Sequence, residues 1–520
     1  MSSTKSDTVN MAAALLAPAL GRGQEGDPAI LYGESVLSYG ELNTAANKAG
    51  NVFRGLGVEC GDRVLMMVRD TPDFVIVYLG LLKIAAVPVG LSTRLVPQDT
   101  AYTIDDSESG YFVLDSFFKD HFKEALTLTE NRPKIIYTDA EVSGADYLQS
   151  LMEDASDELE AVQLPWDAPA LWMYSSGTTG KPKGVVHQQK TILSAARLMG
   201  EILEVGPGDR IYGTSKLFFA FSLAHCLFGS LYQGAATILD SGWPDTDIVA
   251  SNVEKYEPTI VLSVPTFYRN LLRDGSAQKP AFKNVRYYLT AGEKMPESLF
   301  DQWMDATGRP ALEGIGATET CFLFLANRPD HLKPGTCGVP TPGTEVKIIT
   351  QNGEDVHEPG VPGVLWVKMD SVAGGYWKLD ERTREVFQDG WYCTNDMFVM
   401  DADGMYEHQG RADDMLKISG QWVSPAEIEE EVLLNTRVLE AAVVGIPNED
   451  GLVRLALFLV APDVTEDKEA FEKELQDALI EKLSIYKCPR QIYYVDAMPL
   501  TATGKLQRFA LRDSVMGEAP

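Results

Sequence analysis

Short apolar runs recur along the N-terminal part of the chain. RVLMMV (Arg63 to Val68), YFVLD (Tyr111 to Asp115), KIIYT (Lys134 to Thr138), ALWMY (Ala170 to Tyr174), TIVLSV (Thr259 to Val264) and RYYLTAG (Arg286 to Gly292) are too short for helices and rich in β-branched and aromatic residues. They predict buried strands. The stretches between them, such as Glu41 to Leu56 and Asp73 to Ile84, predict helices. Strand and helix in alternation predict an α/β protein with largely parallel sheets. The longest apolar run, Phe74 to Leu91, carries Lys83 and Pro88 and reads as a buried helix followed by a strand rather than a membrane span. The apolar segment Met11 to Leu20 contains Ala17-Pro18-Ala19, which mimics a cleavage site, but Asp7 and a single Lys5 precede it instead of a basic cluster. A docked N-terminal helix is expected there rather than a secretory leader.

The pattern changes after about Gly335. Asn352-Gly353, Asp389-Gly390 and Asp403-Gly404 each sit between alternating runs and predict hairpins of a smaller β-rich section. ISGQWVSPAEIEEEVL then opens a helix, with Ser424 as N-cap, Pro425 at the first helical position and Glu427 completing a capping box. Strands are expected near Ala441 to Gly445, Leu455 to Val460 and Gln491 to Val495. The predicted architecture is therefore a large α/β N-terminal domain of several subdomains over 1–412, mostly parallel sheets plus the β-rich section, followed by a small α+β domain over 413–520, with the boundary between Arg411 and Asp414.

Composition narrows the function. The 520 residues exceed one ordinary core. A formal net charge of −30 argues against a nucleic-acid or anionic-membrane partner, because phosphate contacts need a basic surface. The six cysteines (Cys60, Cys226, Cys321, Cys337, Cys393, Cys488) show no short pair spacing, so neither a zinc pattern nor a disulfide framework is expected, and a reducing, cytoplasmic compartment is.

The segment YSSGTTGKPKG, Tyr174 to Gly184, concentrates three glycines, four hydroxyl-bearing Ser and Thr residues and two lysines directly after a predicted strand. A Walker loop is excluded: Ser175 stands where that motif needs glycine, and Pro182 stands where it needs a hydroxyl. A polyphosphate-binding loop still fits. Gly177, Gly180 and Gly184 allow backbone N–H groups to turn inward as an anion nest. Ser175, Ser176, Thr178 and Thr179 can donate to phosphate oxygens, and Lys181 or Lys183 supplies charge.

This loop resembles the phosphate-loop signature of the adenylate-forming superfamily, which comprises acyl- and aryl-CoA synthetases, luciferases and peptide-synthetase adenylation domains. Four further segments resemble that family's motifs in the expected order: GIGATE (Gly314 to Glu319), GWYCTND (Gly390 to Asp396), GRADDMLKISG (Gly410 to Gly420) and PLTATGKLQR (Pro499 to Arg508). The resemblance implies ATP-dependent activation of a carboxylic acid as acyl-AMP, then transfer to coenzyme A. The loop from Ser175 to Lys183 would hold the β- and γ-phosphates. Thr318 would meet the α-phosphate and Glu319 would bind Mg2+. Adenine would lie between Ala291-Gly292-Glu293 and Glu313-Gly314-Ile315. Asp396 would accept from both ribose hydroxyls, and Arg411 would reach the ribose or phosphate. Lys505 would bridge the carboxylate and the α-phosphate as charge develops. Asp413 matches the hinge on which the mobile last domain swings, and Lys417 and Gly420 would guide the pantetheine after the swing. Asn395 replaces a glycine common before the ribose Asp; Asn tolerates positive φ, so an altered turn with retained binding is expected.

SKLFFAFSLAH (Ser215 to His225) and GIGATETCFLFLANRPD (Gly314 to Asp330) resemble benzoate-type aryl-CoA ligases most. On that resemblance Ala220, Phe221, Gly316, Phe322 and Leu323 line a flat apolar slot for the acid. Those ligases tend to carry Tyr at the position of Phe221 and His at that of Phe322, so two polar handles are absent here, and a plain or alkyl-substituted aryl acid, or another hydrophobic acid, gains weight. An aliphatic-acid ligase and a nucleotide-binding protein without catalysis are the alternatives; intact Glu319, Asp396, Arg411 and Lys505 argue against the latter. A separate carrier protein is the alternative acceptor; the sequence does not reveal the oligomeric state, and a homodimer is one option.

Overall fold

A computed structural model describes residues 7–175, 181–350, 352–418, 421–447, 453–465, 467–500 and 506–516, with the side chains of residues 417, 421 and 422 left aside. By internal contacts the chain divides into two compact units, Met1–Val346 with Val367–Cys393, and Lys347–Trp366 with Thr394–Pro520.

The first unit carries two large sheets. In the eight-stranded sheet, Asp146–Tyr147, Lys134–Tyr137, Tyr111–Leu114, Arg63–Met67, Val87–Gly90 and Pro169–Ser175 run parallel, and Lys183–Gln188 and Gly375–Tyr376 continue it antiparallel. In the nine-stranded sheet, Pro28–Tyr32, Ala236–Ile238, Arg210–Gly213, Ile260–Ser263, Tyr287–Thr290 and Ala311–Gly316 run parallel, with antiparallel strands at both edges. Every strand anticipated from a short apolar run is present. Parallel strands need both faces covered, which is why these runs are uniformly apolar rather than alternating. The helix Tyr39–Gly55 starts on a Ser38–Glu41 capping box. Phe74 to Leu91 becomes the helix Pro72–Lys83 and the strand Val87–Gly90. Lys83 is buried; its ammonium donates to Asn43 and Asn47, and burial pushes its pKa down to about 8. Met11–Gly21 forms a helix capped by Asn10, whose side chain also donates to the carbonyls of Leu82 and Val162.

In the second unit, Glu440–Pro447, Val453–Val460 and Gln491–Tyr494 form a three-stranded sheet covered by helices Pro425–Leu433, Lys468–Lys482 and Arg508–Met516. The hairpin of Trp391–Met400 with Tyr406–Arg411 turns at Asp403-Gly404 as its sequence predicts. Its Gln409 carbonyl accepts from Ser424 Oγ at 2.6 Å, and this corrects the expected capping box. Ser424 does precede the helix, but its hydroxyl is used by the hairpin, and Glu427 pairs with Lys487 Nζ at 2.6 and 2.7 Å instead of reaching back to the N-cap. A charge-assisted bond outcompetes a neutral one for the same carboxylate.

Candidate active site

Ligands of open parallel sheets bind outside the carboxyl ends of the strands. Three strands of the nine-stranded sheet bring predicted site residues to that edge, and a fourth runs among them. Arg210–Gly213 leads to Ala220 and Phe221, and Ile260–Ser263 runs beside it, with Thr214 and Ser263 hydroxyls 2.7 Å apart. Tyr287–Thr290 leads to Ala291-Gly292-Glu293, and Ala311–Gly316 contains Glu313, Gly314, Ile315 and Gly316 and runs on to Thr318 and Glu319.

Three of these positions have local reasons of their own. Gly292 holds φ at +90°, a conformation that L side chains rarely adopt. Gly314 lies so close to the antiparallel neighbour Leu323–Ala326 that a Cβ would meet the Leu325 carbonyl at 2.8 Å. Glu293 accepts from the Thr266 amide and hydroxyl at 3.1 and 2.6 Å, which steadies the first turn of the helix Pro265–Arg273.

Thr318 to Thr320 make one 3-10 turn, and the eight-stranded sheet holds that turn from the other side. His187 Nε2 donates to the Thr318 carbonyl at 2.8 Å. The Ala373 amide donates to the Glu319 carbonyl at 2.8 Å. The Tyr376 hydroxyl donates to Glu319 Oε1 at 2.7 Å. His187 is fully buried, and burial pushes its pKa down to about 4. The next residue, Cys321, has φ 60 and ψ −49, and the Phe322 amide bonds the Thr320 carbonyl at 2.6 Å. That is a γ-turn of the rare, strained hand, set between the expected nucleotide motif and Phe322, expected in the acid pocket. Strain of this kind costs about 1–3 kcal/mol and persists where surrounding bonds over-determine the backbone.

The phosphate-loop candidate leaves the same eight-stranded sheet. Ser175 ends its strand, buried, in register with Lys183, which begins the next one. Lys183 Nζ stands 5.1 Å from the centre of the Tyr376 ring, the ring whose hydroxyl holds Glu319. Ser176, Gly177, Thr178 and Thr179 lie outside the described residues. A single carboxylate is enough for the expected metal, because Mg2+ keeps several waters and is held by one or two carboxylates plus substrate phosphates. Glu319 fits that pattern, since Tyr376 orients one of its two oxygens. Among the described residues no cluster of three or more His, Cys, Asp or Glu forms a metal cage.

Phe221, Phe322 and Leu323, the residues expected to line the acid pocket, all contact His225, to which sequence reading assigned no role. Its ring centre lies 5.6 Å from that of Phe221 and 5.2 Å from that of Phe322. It sits in a π-helical turn, Ser222–Phe228, of a kind frequent at functional sites. Nδ1 lies 3.1 Å from the Phe221 carbonyl, and the Leu323 amide donates to Nε2 at 3.4 Å.

In the second unit, Asp396 and Arg411 face each other across the hairpin, with Arg411 Nη1 3.4 Å from Asp396 Oδ1. Arg411 Nε also donates to Asp413 at 3.1 Å, and His408 Nε2 lies 3.6 Å from Asp396. Asn395 holds φ at 57°, the positive value expected of it, and its carbonyl accepts from the Ala412 amide. Lys417 belongs to the strand Leu416–Ile418. Gly420 and Lys505 lie outside the described residues. The segments flanking Lys505 are tied together: Leu500 bridges Leu506, and the half-buried Arg508 pairs with Glu429 and donates to the Val443 carbonyl. Tyr376 and His187 lie outside every quoted motif, and Arg508 and His225 end two of them without a role of their own; each owes its place to contacts distant in the chain.

Known proteins match the chain along nearly its whole length. The family model described as AMP-binding enzyme matches residues 19–377, and the one described as AMP-binding enzyme C-terminal domain matches 427–505. A 3-hydroxybenzoate–CoA ligase of Aromatoleum sp. (strain CIB) is 43% identical over 98% of both chains. A 3-hydroxybenzoate–CoA/4-hydroxybenzoate–CoA ligase of Thauera aromatica is 43% identical over 97% of both. The crystal structure of an anthranilate CoA ligase in complex with anthranoyl-AMP superposes with a TM-score of 0.90 at 31% identity, covering 98% of each chain. With the fold, the braced Thr318–Glu319 turn and these matches together, the chain belongs to the AMP-binding enzyme family.

Proposed function

We propose that this protein activates an aromatic carboxylic acid with ATP and transfers the acyl group to coenzyme A. The Thr318–Glu319 turn carries the reading. It stands at the carboxyl edge of one sheet, fixed by His187, Ala373 and Tyr376, next to the strand that delivers the phosphate loop. The relatives named above act on hydroxybenzoates, and the crystal structure named above holds anthranoyl-AMP, which supports an aromatic acid.

A carboxylate repels nucleophiles. Its oxygen attacks the α-phosphorus of ATP, pyrophosphate leaves, and the acyl-AMP then carries a good leaving group. The CoA thiol attacks the acyl carbon and AMP departs. Both steps need positioning and charge control more than covalent help. In this scheme Ser175 to Lys183 hold the phosphates, Thr318 meets the α-phosphate, and Ala291 to Glu293 with Glu313 to Ile315 flank adenine. Asp396 and Arg411 take the ribose, and Ala220, Phe221, Gly316, Phe322 and Leu323 line the acid slot. Glu319 is the residue that would hold Mg2+, which neutralises phosphate charge when bound. Lys505 bridges carboxylate and α-phosphate. Residues 413–520 swing about Asp413 between the two steps, bringing Lys417 and Gly420 to the pantetheine. All six cysteines are free, in keeping with a cytoplasmic enzyme, and the acidic surface disfavours nucleic acid and anionic membranes as partners. No helix among the described residues is long and apolar enough to cross a membrane.

Pyrophosphate release across a panel of acids, with ATP, Mg2+ and CoA, tests the reading. Release with benzoate-type acids, followed by formation of their CoA thioesters, is expected. Release with aliphatic acids alone would assign a different substrate class, and none with any acid would leave a nucleotide binder.

A further inference from the structure

We infer that His225 is a specificity-determining residue for the acid, its Nε2 accepting a hydrogen bond from a hydroxyl or amino group carried on the substrate ring. The inference rests on the aromatic-acid reading above and names the substituent that reading left open.

The argument starts from protonation. A carbonyl oxygen can only accept, so the 3.1 Å contact from His225 Nδ1 to the Phe221 carbonyl puts the ring proton on Nδ1. His225 is 1% exposed, and burial pushes its pKa down to about 4, so the ring is neutral at pH 7. Nε2 therefore presents a lone pair. Its hydrogen bond from the Leu323 amide is 3.4 Å long, beyond the usual range for a good bond.

The rings of Phe221 and Phe322 pack against the imidazole, and among the described residues the Leu323 amide is the partner of this lone pair. A buried acceptor with a weak partner costs free energy until a better donor arrives. A ring hydroxyl suits the place. It donates to Nε2 while its own oxygen can accept from the Leu323 amide, so both groups gain a short bond. An amino group supplies the donor alone. A methoxy group offers only an acceptor and meets the Nε2 lone pair unfavourably. An unsubstituted ring leaves the long bond as it is. Sites built to bond a substrate hydroxyl discriminate strongly against analogues that lack it.

The test compares kcat/KM for pyrophosphate release among benzoate and its hydroxy, amino and methoxy derivatives at each ring position, in the full-length enzyme. At the favoured position the wild type is expected to prefer the hydroxy acid over its methoxy analogue by about tenfold or more. In His225→Leu the hydroxy-to-plain ratio is expected to fall about tenfold, and His225→Gln, which keeps an acceptor, to restore part of it. Reading a ratio within one variant cancels general damage. Equal handling of hydroxy and methoxy acids by the wild type would overturn the inference even if the variants fail to fold, and so would an unchanged ratio in His225→Leu. Absence of release with every aromatic acid is a separate failure, that of the aromatic reading itself.

Discussion

We propose that the Thr318–Glu319 turn and the Asp396–Arg411 pair serve one nucleotide, with Asp413 beside that pair as the proposed hinge, and the two regions are built in opposite ways. The first is held by short bonds from buried or nearly buried groups: His187 is 0% exposed and Glu319 9%. The second is held by longer ion pairs nearer to solvent; the side chains of Asp396, Arg411 and Asp413 are 15%, 34% and 52% exposed. Exposed pairs contribute about 0–1 kcal/mol each, whereas a buried bond to a charged group contributes about 1.5–3 kcal/mol. The turn is thus the more preorganised of the two, and the cluster is held by weaker, more solvated contacts. That contrast matches the proposed division of labour, in which one region holds phosphate and metal steadily while the other borders a hinge.

Four substitutions would break or sharpen the contrast, and the largest effect is expected at Lys505. Lys505→Ala should slow acyl-AMP formation about 10²–10³-fold, by loss of a preorganised charge, with ATP affinity nearly unchanged. Pyrophosphate exchange and equilibrium binding measure the two, and acyl-AMP formed at the normal rate would remove Lys505 from the chemistry. Asp413→Pro should slow thioester formation roughly tenfold to a hundredfold while sparing adenylation, because misplacing the reacting groups by about 1 Å has that effect. Equal loss of both half-reactions would count against a hinge there. Tyr376→Phe frees the Glu319 carboxylate from its oriented bond and should lower kcat/KM for ATP about tenfold, with no recovery in high salt. A variant as active as wild type would show that Glu319 needs no orienting partner.

The smallest effect is a pH dependence at His187. Its folded pKa of about 4 lies below the ordinary 6.5, so the unfolded state binds more protons between these values. The stability His187 contributes is fully present above pH 6.5 and is lost as pH falls from 6.5 toward 4. His187→Gln should be less stable than wild type at pH 7, with the gap shrinking by about 2 kcal/mol at pH 5. Denaturant midpoints at both pH values check it, and a constant gap would mean that His187 is not held neutral.

Much of the scaffold was legible because its cause is local. Uniformly apolar runs of strand length reported strands covered on both faces, and Asp403-Gly404 reported its turn through backbone preference alone. Asn395 was readable too, since positive φ is a property of the residue. Ser424 shows the limit. Its capping signal was sound, yet the hydroxyl went to the Gln409 carbonyl, a competitor visible only in three dimensions.

The same limit governed the acid pocket. Counting aligned positions registered the absence of polar handles at 221 and 322 and had no means of adding His225, which faces Leu323 across 98 positions of chain. His187 and Thr318 are 131 positions apart, and Tyr376 and Glu319 are 57.

What the sequence determined by itself was the family, the element types and the order of the motifs, because these follow from side-chain periodicity, turn preferences and short segments read in place. Which buried groups meet across the two sheets was decided only by the tertiary structure. Desolvation makes such a contact strong, and desolvation depends on neighbours brought together by packing rather than by adjacency along the chain.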